Sequence, residues 1–173
     1  MKFYKHNILC KKTLRSGVIL GRVINIKTMR ILKPVQHSPA KKYLSVNLYR
    51  NGVMSPKRLI HQLVAREWLE NPEGKYCIDH IDGDVLNNCV TNLRFATFTE
   101  NQMNRKKQST QSSSRFKGVH FSTAAKKWLA RINLVNGKPT YLGLFSSEED
   151  AARKYNEFAI KYYGSFAKLN EID

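Results

Sequence analysis

Acidic residues are scarce in this chain, and none occurs before Glu67. Against 30 Lys+Arg stand only 13 Asp+Glu, a formal net charge of +17. A soluble domain with an ordinary surface intersperses the two signs, because a one-signed surface repels itself. The imbalance points to a polyanion, nucleic acid, without separating DNA from RNA. A surface charged only for solubility is the plainer alternative. Cysteine is sparse too. Cys10, Cys77 and Cys89 are odd in number and form no C-x-x-C pair, so buried thiols are expected, with neither a disulfide framework nor a structural zinc. Long apolar runs are missing: none approaches the roughly 20 residues that span a bilayer. Met1-Lys2-Phe3-Tyr4-Lys5-His6 is basic but lacks the apolar segment of a secretory signal. A soluble, intracellular, cytoplasmic protein with no membrane partner is expected, and no protein partner is identified.

What is present is enough to fold. Hydrophobic residues make up 42% and charged residues 25% of 173 positions, a globular balance for one domain or two small ones. Residues 1–56 read as a basic β-rich platform. Ser16-Gly17, Leu20-Gly21 and Asn51-Gly52 are turn signals, and Leu44, Val46 and Leu48 alternate onto one face of a strand over residues 43–49. Ile60, Leu63, Val64 and Trp68 then recur at helical spacing until Asn71-Pro72. His61 opens that helix, where packing or capping is a better reading than a phosphate contact.

Residues 105–114 form a polar linker with a basic start, Arg105-Lys106-Lys107. The unit beyond it, 115–173, reads as three antiparallel strands followed by a helix. Ser146-Ser147-Glu148-Glu149 supplies a capping box, Ala151, Tyr155, Phe158, Ala159 and Tyr162 the apolar stripe, and Gly164 the stop. In the middle strand Trp128, Ala130 and Ile132 should meet the helix. Lys127, Leu129, Arg131 and Asn133 then face away, a basic ribbon suited to a DNA groove.

Between helix and linker lies Asp79-His80-Ile81-Asp82-Gly83-Asp84, then Asn87-Asn88, Asn92-Leu93-Arg94 and Glu100-Asn101. Runs of Asp, Asn and Gly commonly mark turns only. An EF-hand fails on spacing, since the third position from Asp79 is Ile81 and the sixth from Asp82 is Asn87. Residues 76–80 and 93–97 read as two short strands, and Thr97-Phe98-Thr99-Glu100 as the capping box of a helix that carries Asn101. Phosphodiester hydrolysis needs an activated water and neutralisation of charge on the phosphate. Asp79 and Asn101 can offer hard oxygen to a divalent cation, His80 can deprotonate water, and Asn92 can tie the loop and orient the histidine.

These submotifs, in order from Ile60 to Gln102, resemble the HNH endonuclease motif, in the branch found in phage and intron-borne homing endonucleases. The resemblance implies a ββα-metal core over residues 57–104, His80 as general base, Asp79 and Asn101 as ligands of Mg²⁺ or Mn²⁺, and Asn92 as the loop-holding residue. Phe95 stands where Trp is common in that family. Phe116-Lys117-Gly118-Val119, Lys127-Trp128-Leu129-Ala130-Arg131-Ile132, Tyr141-Leu142-Gly143-Leu144-Phe145 and Gly164-Ser165-Phe166-Ala167 resemble the AP2/ERF DNA-binding domain, whose sheet enters the major groove. The matching contact positions are Lys117, His120, Lys127, Arg131, Asn133 and Tyr141, with Arg105, Lys106 and Lys107 available to phosphates. His120 and Asn133 depart from the Arg common in plant members. The expectation is an α+β protein that cuts double-stranded DNA in a phage-infected host. A DNA-binding regulator without cleavage and an RNA-binding protein are the rivals.

Overall fold

The computed structural model describes residues 8–11, 14–15, 18–19, 21–25, 28–38, 41–50, 53–54, 56–107, 112–134 and 137–172. The expected turns at Ser16-Gly17 and Asn51-Gly52, Leu20 and linker residues 108–111 lie outside them. The fold is mixed α and β, with every strand pairing antiparallel. The chain divides into two compact units, Met1–Thr97 and Phe98–Asp173.

The first unit begins with short strands: β1 (Ile8–Lys11), β2 (Leu14–Arg15), β3 (Val18–Ile19), β4 (Arg22–Asn25), β5 (Arg30–Ile31), β6 (Val35–Ser38), β7 (Lys41–Val46), β8 (Tyr49–Arg50), β9 (Val53–Met54) and β10 (Arg58–Leu59). They form the sheets β1-β4-β5 and β10-β7-β6 and the hairpins β2-β3 and β8-β9. Val46 and Leu48 are buried and Leu44 packs beside them, as their alternation predicts. Helix α1 (Ile60–Trp68) lays Ile60, Leu63, Val64 and Ala65 onto this core. Trp68 does not join the stripe and is 37% exposed. The helix ends at that residue, and the extended Leu69 packs on the core in its place.

A hairpin of β11 (Cys77–His80) and β12 (Leu93–Ala96) follows, pairing Asp79 with Arg94 and His80 with Leu93. Leu93, and Val90 from a single 3₁₀ turn before it, enter the same core, with Ile78 and Phe95 against it. The platform, helix and hairpin therefore share one apolar centre, which is what fixes the strand ends bearing Asp79 and His80.

The second unit opens with α2 (Phe98–Met103), followed by β13 (Val119–Ser122), β14 (Lys127–Asn133), β15 (Pro139–Phe145) and α3 (Glu148–Tyr163). The strands form one sheet in the order β13-β14-β15. Ala130 and Ile132 are buried in clusters with α3 residues, while Lys127, Arg131 and Asn133 are exposed. Alternation along β14 places them as predicted. The cap of α3 is Ser147, whose Oγ accepts from the Asp150 N–H at 3.0 Å, one residue later than the capping box suggests. The buried stripe also ends one residue later, at Tyr163 rather than Tyr162, because i, i+4 steps from Ala151 run through Tyr155 and Ala159 to Tyr163. Gly164 then ends the helix at φ +53°. Met103 of α2 is buried with Ile132, Tyr155, Ala159 and Tyr163. No helix among the described residues is long and apolar enough to cross a membrane.

Candidate active site

Asp79 and His80 close β11 side by side, 4% and 5% exposed. Their side chains take different partners, as strand alternation requires. Asp79 Oδ2 accepts from Arg94 Nε at 2.8 Å and lies 2.7 Å from Nη2, across the hairpin. His80 Nε2 meets Asn88 Oδ1 at 3.2 Å.

The loop between the strands is held by its own polar side chains. Asn92 is the centre of this stitching: its Oδ1 accepts from the Asp82 N–H at 3.0 Å, and its Nδ2 donates to Asp82 Oδ1 and to the Asn87 carbonyl, each at 2.9 Å. Asn87 Nδ2 donates to Asp82 Oδ2 at 2.7 Å, and the Asp84 N–H to Asp82 Oδ1 at 2.8 Å. Burial alone pushes the Asp82 carboxyl up. The bonds from Asp84, Asn87 and Asn92, with the nearby His80, outweigh it and hold the group below the usual carboxylate range. Gly83 makes the turn at φ +77°, its N–H donating to the His80 carbonyl.

Two more rings surround His80. His61, on the first turn of α1, lies edge-on with its ring centre 5.2 Å away. Tyr43 from β7 stands 5.0 Å from His61 and 6.2 Å from His80. His61 is 6% exposed, and its Nδ1 has no hydrogen-bond partner among the described residues. Burial, with the charge of His80 added, lowers its pKa to about 4. It is a neutral imidazole at physiological pH.

Among the described residues no group of three or more His, Cys, Asp and Glu side chains is placed to hold a metal. The candidate donors are hard oxygens instead: the buried Asp79 carboxylate, whose printed Arg94 contacts both fall on Oδ2, and the amide of Asn101. That donor chemistry fits Mg²⁺ or Mn²⁺, whose shell phosphate and water complete. The structure brings Asp79, His80 and Asn92 together in the first unit, whereas Asn101 is carried by α2 in the second.

In the second unit Lys127, Arg131, Asn133 and Tyr141 are exposed on the sheet, and Arg131 stands opposite Tyr141. His120, half-buried, has its pKa lowered by burial and by Arg131 and Lys107. Arg105 and Lys106 are exposed. Lys107 and Lys117 sit differently. Lys117 Nζ donates to the carbonyls of Met103 at 2.5 Å and Arg105 at 2.8 Å, and Lys107 Nζ to those of Phe116 at 2.6 Å and Val119 at 3.2 Å. Burial, with Lys168 and Arg105 nearby, brings Lys117 down to about 8.

No protein-family model matches the chain. A protein of Acanthamoeba polyphaga mimivirus described as an uncharacterized HNH endonuclease is 34% identical over 125 residues, 72% of this chain and 62% of the viral protein. DNA endonuclease I-HmuI of Bacillus phage SP01 is 36% identical over 88 residues, 49% of each chain. The chain is an HNH endonuclease homologue.

The HNH homologue thus spans about half to three-fifths of the length of these two relatives. It also matches a rice AP2-like ethylene-responsive transcription factor, CRL5, at 41% identity over 69 residues, 38% of this chain and 11% of that one, which supports an AP2-like segment. A solved structure described as DNA binding and cleavage by the HNH homing endonuclease I-HmuI superposes with a TM-score of 0.43 at 24% identity, over 80% of this chain and 77% of that one, too loosely to decide anything.

Three side chains at the HNH hairpin carry no role in the sequence reading: Arg94 on Asp79, and Asn88 and His61 on His80. Arg94 and Asn88 stand inside the motif. Their partners are set by strand register and by the path of the loop, which residue types do not encode. A polar residue on the apolar face of α1 was the available signal for His61.

Proposed function

We propose that the chain is a metal-dependent DNA endonuclease of homing type, hydrolysing a phosphodiester of double-stranded DNA. The observation that carries this reading is the end of β11: a carboxylate and an imidazole, adjacent and buried, on a hairpin whose loop Asn92 stitches shut. Relatives described as HNH endonucleases support it.

Asp79 and Asn101 are the residues that would hold one divalent ion. When bound, that ion supplies charge neutralisation at the scissile phosphate and at the leaving 3′ oxygen. His80 takes the proton from the attacking water, a task suited to imidazole because histidine titrates near neutral pH. Asn92 keeps the loop closed, and Arg94 offsets the buried charge of Asp79. The products carry a 5′ phosphate and a 3′ hydroxyl. An AP2-like sheet contacts the duplex through Lys127, Arg131, Asn133, Tyr141 and His120, with Arg105 and Lys106 on phosphates. Lys107 and Lys117 support that surface through their bonds to backbone carbonyls.

Plasmid and source-genome DNA incubated with the protein in Mg²⁺, and in EDTA, tests the reading. Cutting or nicking in Mg²⁺ alone, abolished by His80→Ala while binding stays within a few fold, is the expected result. Wild-type protein that leaves every substrate intact in Mg²⁺ overturns it. The grip of Arg94 on Asp79 favours a second reading, a DNA-binding protein that does not cut. The same assay separates the two, because that protein binds duplex DNA and leaves it whole.

A further inference from the structure

Asn88 is buried, 6% exposed, and its amide has only one way to lie. Its Nδ2 donates to the Leu86 carbonyl at 3.1 Å. A carbonyl oxygen accepts and never donates, so turning the amide over would set Oδ1 against another acceptor. The orientation is therefore decided by the hydrogen-bond network rather than by the similar shapes of the two amide atoms. The backbone that carries this amide is also fixed. Its own N–H donates to the same Leu86 carbonyl at 3.1 Å, and Asn87 Oδ1 accepts from the following N–H, that of Cys89, at 3.3 Å. On the far side Gly21 comes so close that a Cβ there would sit 2.1 Å from the Asn88 carbonyl oxygen. Asn88 is thus held by the loop and by the platform together.

Its Oδ1 faces His80 Nε2 at 3.2 Å. An amide oxygen has lone pairs and no hydrogen, so Nε2 must carry the proton. In a neutral imidazole the lone pair then belongs to Nδ1. We propose that Asn88 is the positioning residue of His80, selecting the Nε2–H tautomer so that Nδ1 is the nitrogen that removes a proton from water. The bond has a second use. Nε2–H donates to Oδ1 in the neutral ring and in the imidazolium alike, so His80 gains and loses its proton without turning over. The inference rests on the nuclease reading for the purpose of the tautomer, but not for its existence.

The role differs from the one expected of Asn92. Asn92 bonds Asp82 and Asn87 and acts on the loop. Asn88 bonds the imidazole itself. Removing the partner that orients a site histidine costs roughly tenfold to a hundredfold in comparable sites.

The test is a long-range ¹H–¹⁵N correlation spectrum of the full chain labelled at histidine, taken above the imidazole titration range, with His80→Gln assigning the His80 signals. Wild type is expected to show the Nε2–H tautomer at His80. Asn88→Leu fills a similar volume without an acceptor and should shift His80 toward Nδ1–H. Its kcat for DNA cleavage should fall roughly tenfold to a hundredfold, with the Kd for DNA within twofold. Asn88→Asp restores an acceptor and should recover both the Nε2–H signal and most of the rate. A wild-type His80 pattern in Asn88→Leu overturns the proposal, as does loss of the Nε2–H signal in Asn88→Asp. If Asn88→Leu does not fold, the Asn88→Asp spectrum still decides. If wild type cuts no DNA, the nuclease reading fails while the spectra still test the tie between Asn88 and His80.

Discussion

Arg94 grips a single oxygen of Asp79, with Nε at 2.8 Å and Nη2 at 2.7 Å from Oδ2. The carboxylate is buried, so its charge depends on this neighbour. Taking away one partner of a buried ion pair leaves the other uncompensated and costs about 3–5 kcal/mol. Arg94→Met should therefore lower the urea midpoint strongly, and Arg94→Met with Asp79→Asn should recover much of the loss. A single substitution costing under ~1 kcal/mol, the range of exposed pairs, would show that the pair is worth no more than a surface one.

His61 makes stability depend on pH. Its pKa is lowered to about 4 in the folded chain, and an unfolded histidine titrates near 6.5. Between those values the unfolded chain binds a proton that the folded chain refuses, so stability rises with pH. The contribution is complete above about pH 6.5 and is lost as pH falls toward 4. The full span is at most about 3 kcal/mol, from 1.36 kcal/mol per unit. Urea melts from pH 4 to 8 should show this slope, and His61→Phe should flatten it.

Gly118 cannot be replaced without repacking. It sits at φ +76°, and a Cβ there would lie 2.1 Å from the Tyr155 ring and 2.6 Å from the Arg131 carbonyl. Overpacking and left-handed backbone together should cost roughly 2–5 kcal/mol in Gly118→Ala. Calorimetry should show the loss. Ser147→Ala, which removes the α3 cap, should cost only about 1 kcal/mol.

Affinity for DNA should fall steeply with salt, because each neutralised phosphate releases a counterion. Arg131→Ala and Lys127→Ala should each weaken binding and reduce the slope of log K against log salt by about one. Lys117→Met should lower thermal stability and leave that slope nearly intact, since its ammonium is seated on the carbonyls of Met103 and Arg105. Binding titrations at several salt concentrations read both outcomes.

Much of the fold was legible because it is written in local spacing. Alternation placed Ala130 and Ile132 inside and Lys127, Arg131 and Asn133 outside. Periodicity located α1 and α3, with errors of one residue at the α3 cap and stripe. At the site, Asp79 and His80 could be seen together because they are neighbours in one strand. Asn88 could not be tied to His80, since that contact depends on how residues 82–92 fold back. Nor was the seat of Lys117 visible: its partners are main-chain oxygens, and every residue has one. Met103 was equally silent, because a six-residue helix with one buried side chain does not declare which core it serves.

That seat of Met103 bears on how such a protein can be rebuilt by recombination. The serine-rich stretch after Lys107 looks like the natural place to splice in a different DNA-reading module. A graft joined there would leave Met103 without Ile132, Tyr155 and Tyr163 around it, and the Met103 and Arg105 carbonyls without the Lys117 ammonium. The seam that keeps these contacts lies between Thr97 and Phe98. A module exchanged at that seam brings its own Asn101 with it, so targeting and part of the chemistry would be inherited as one piece.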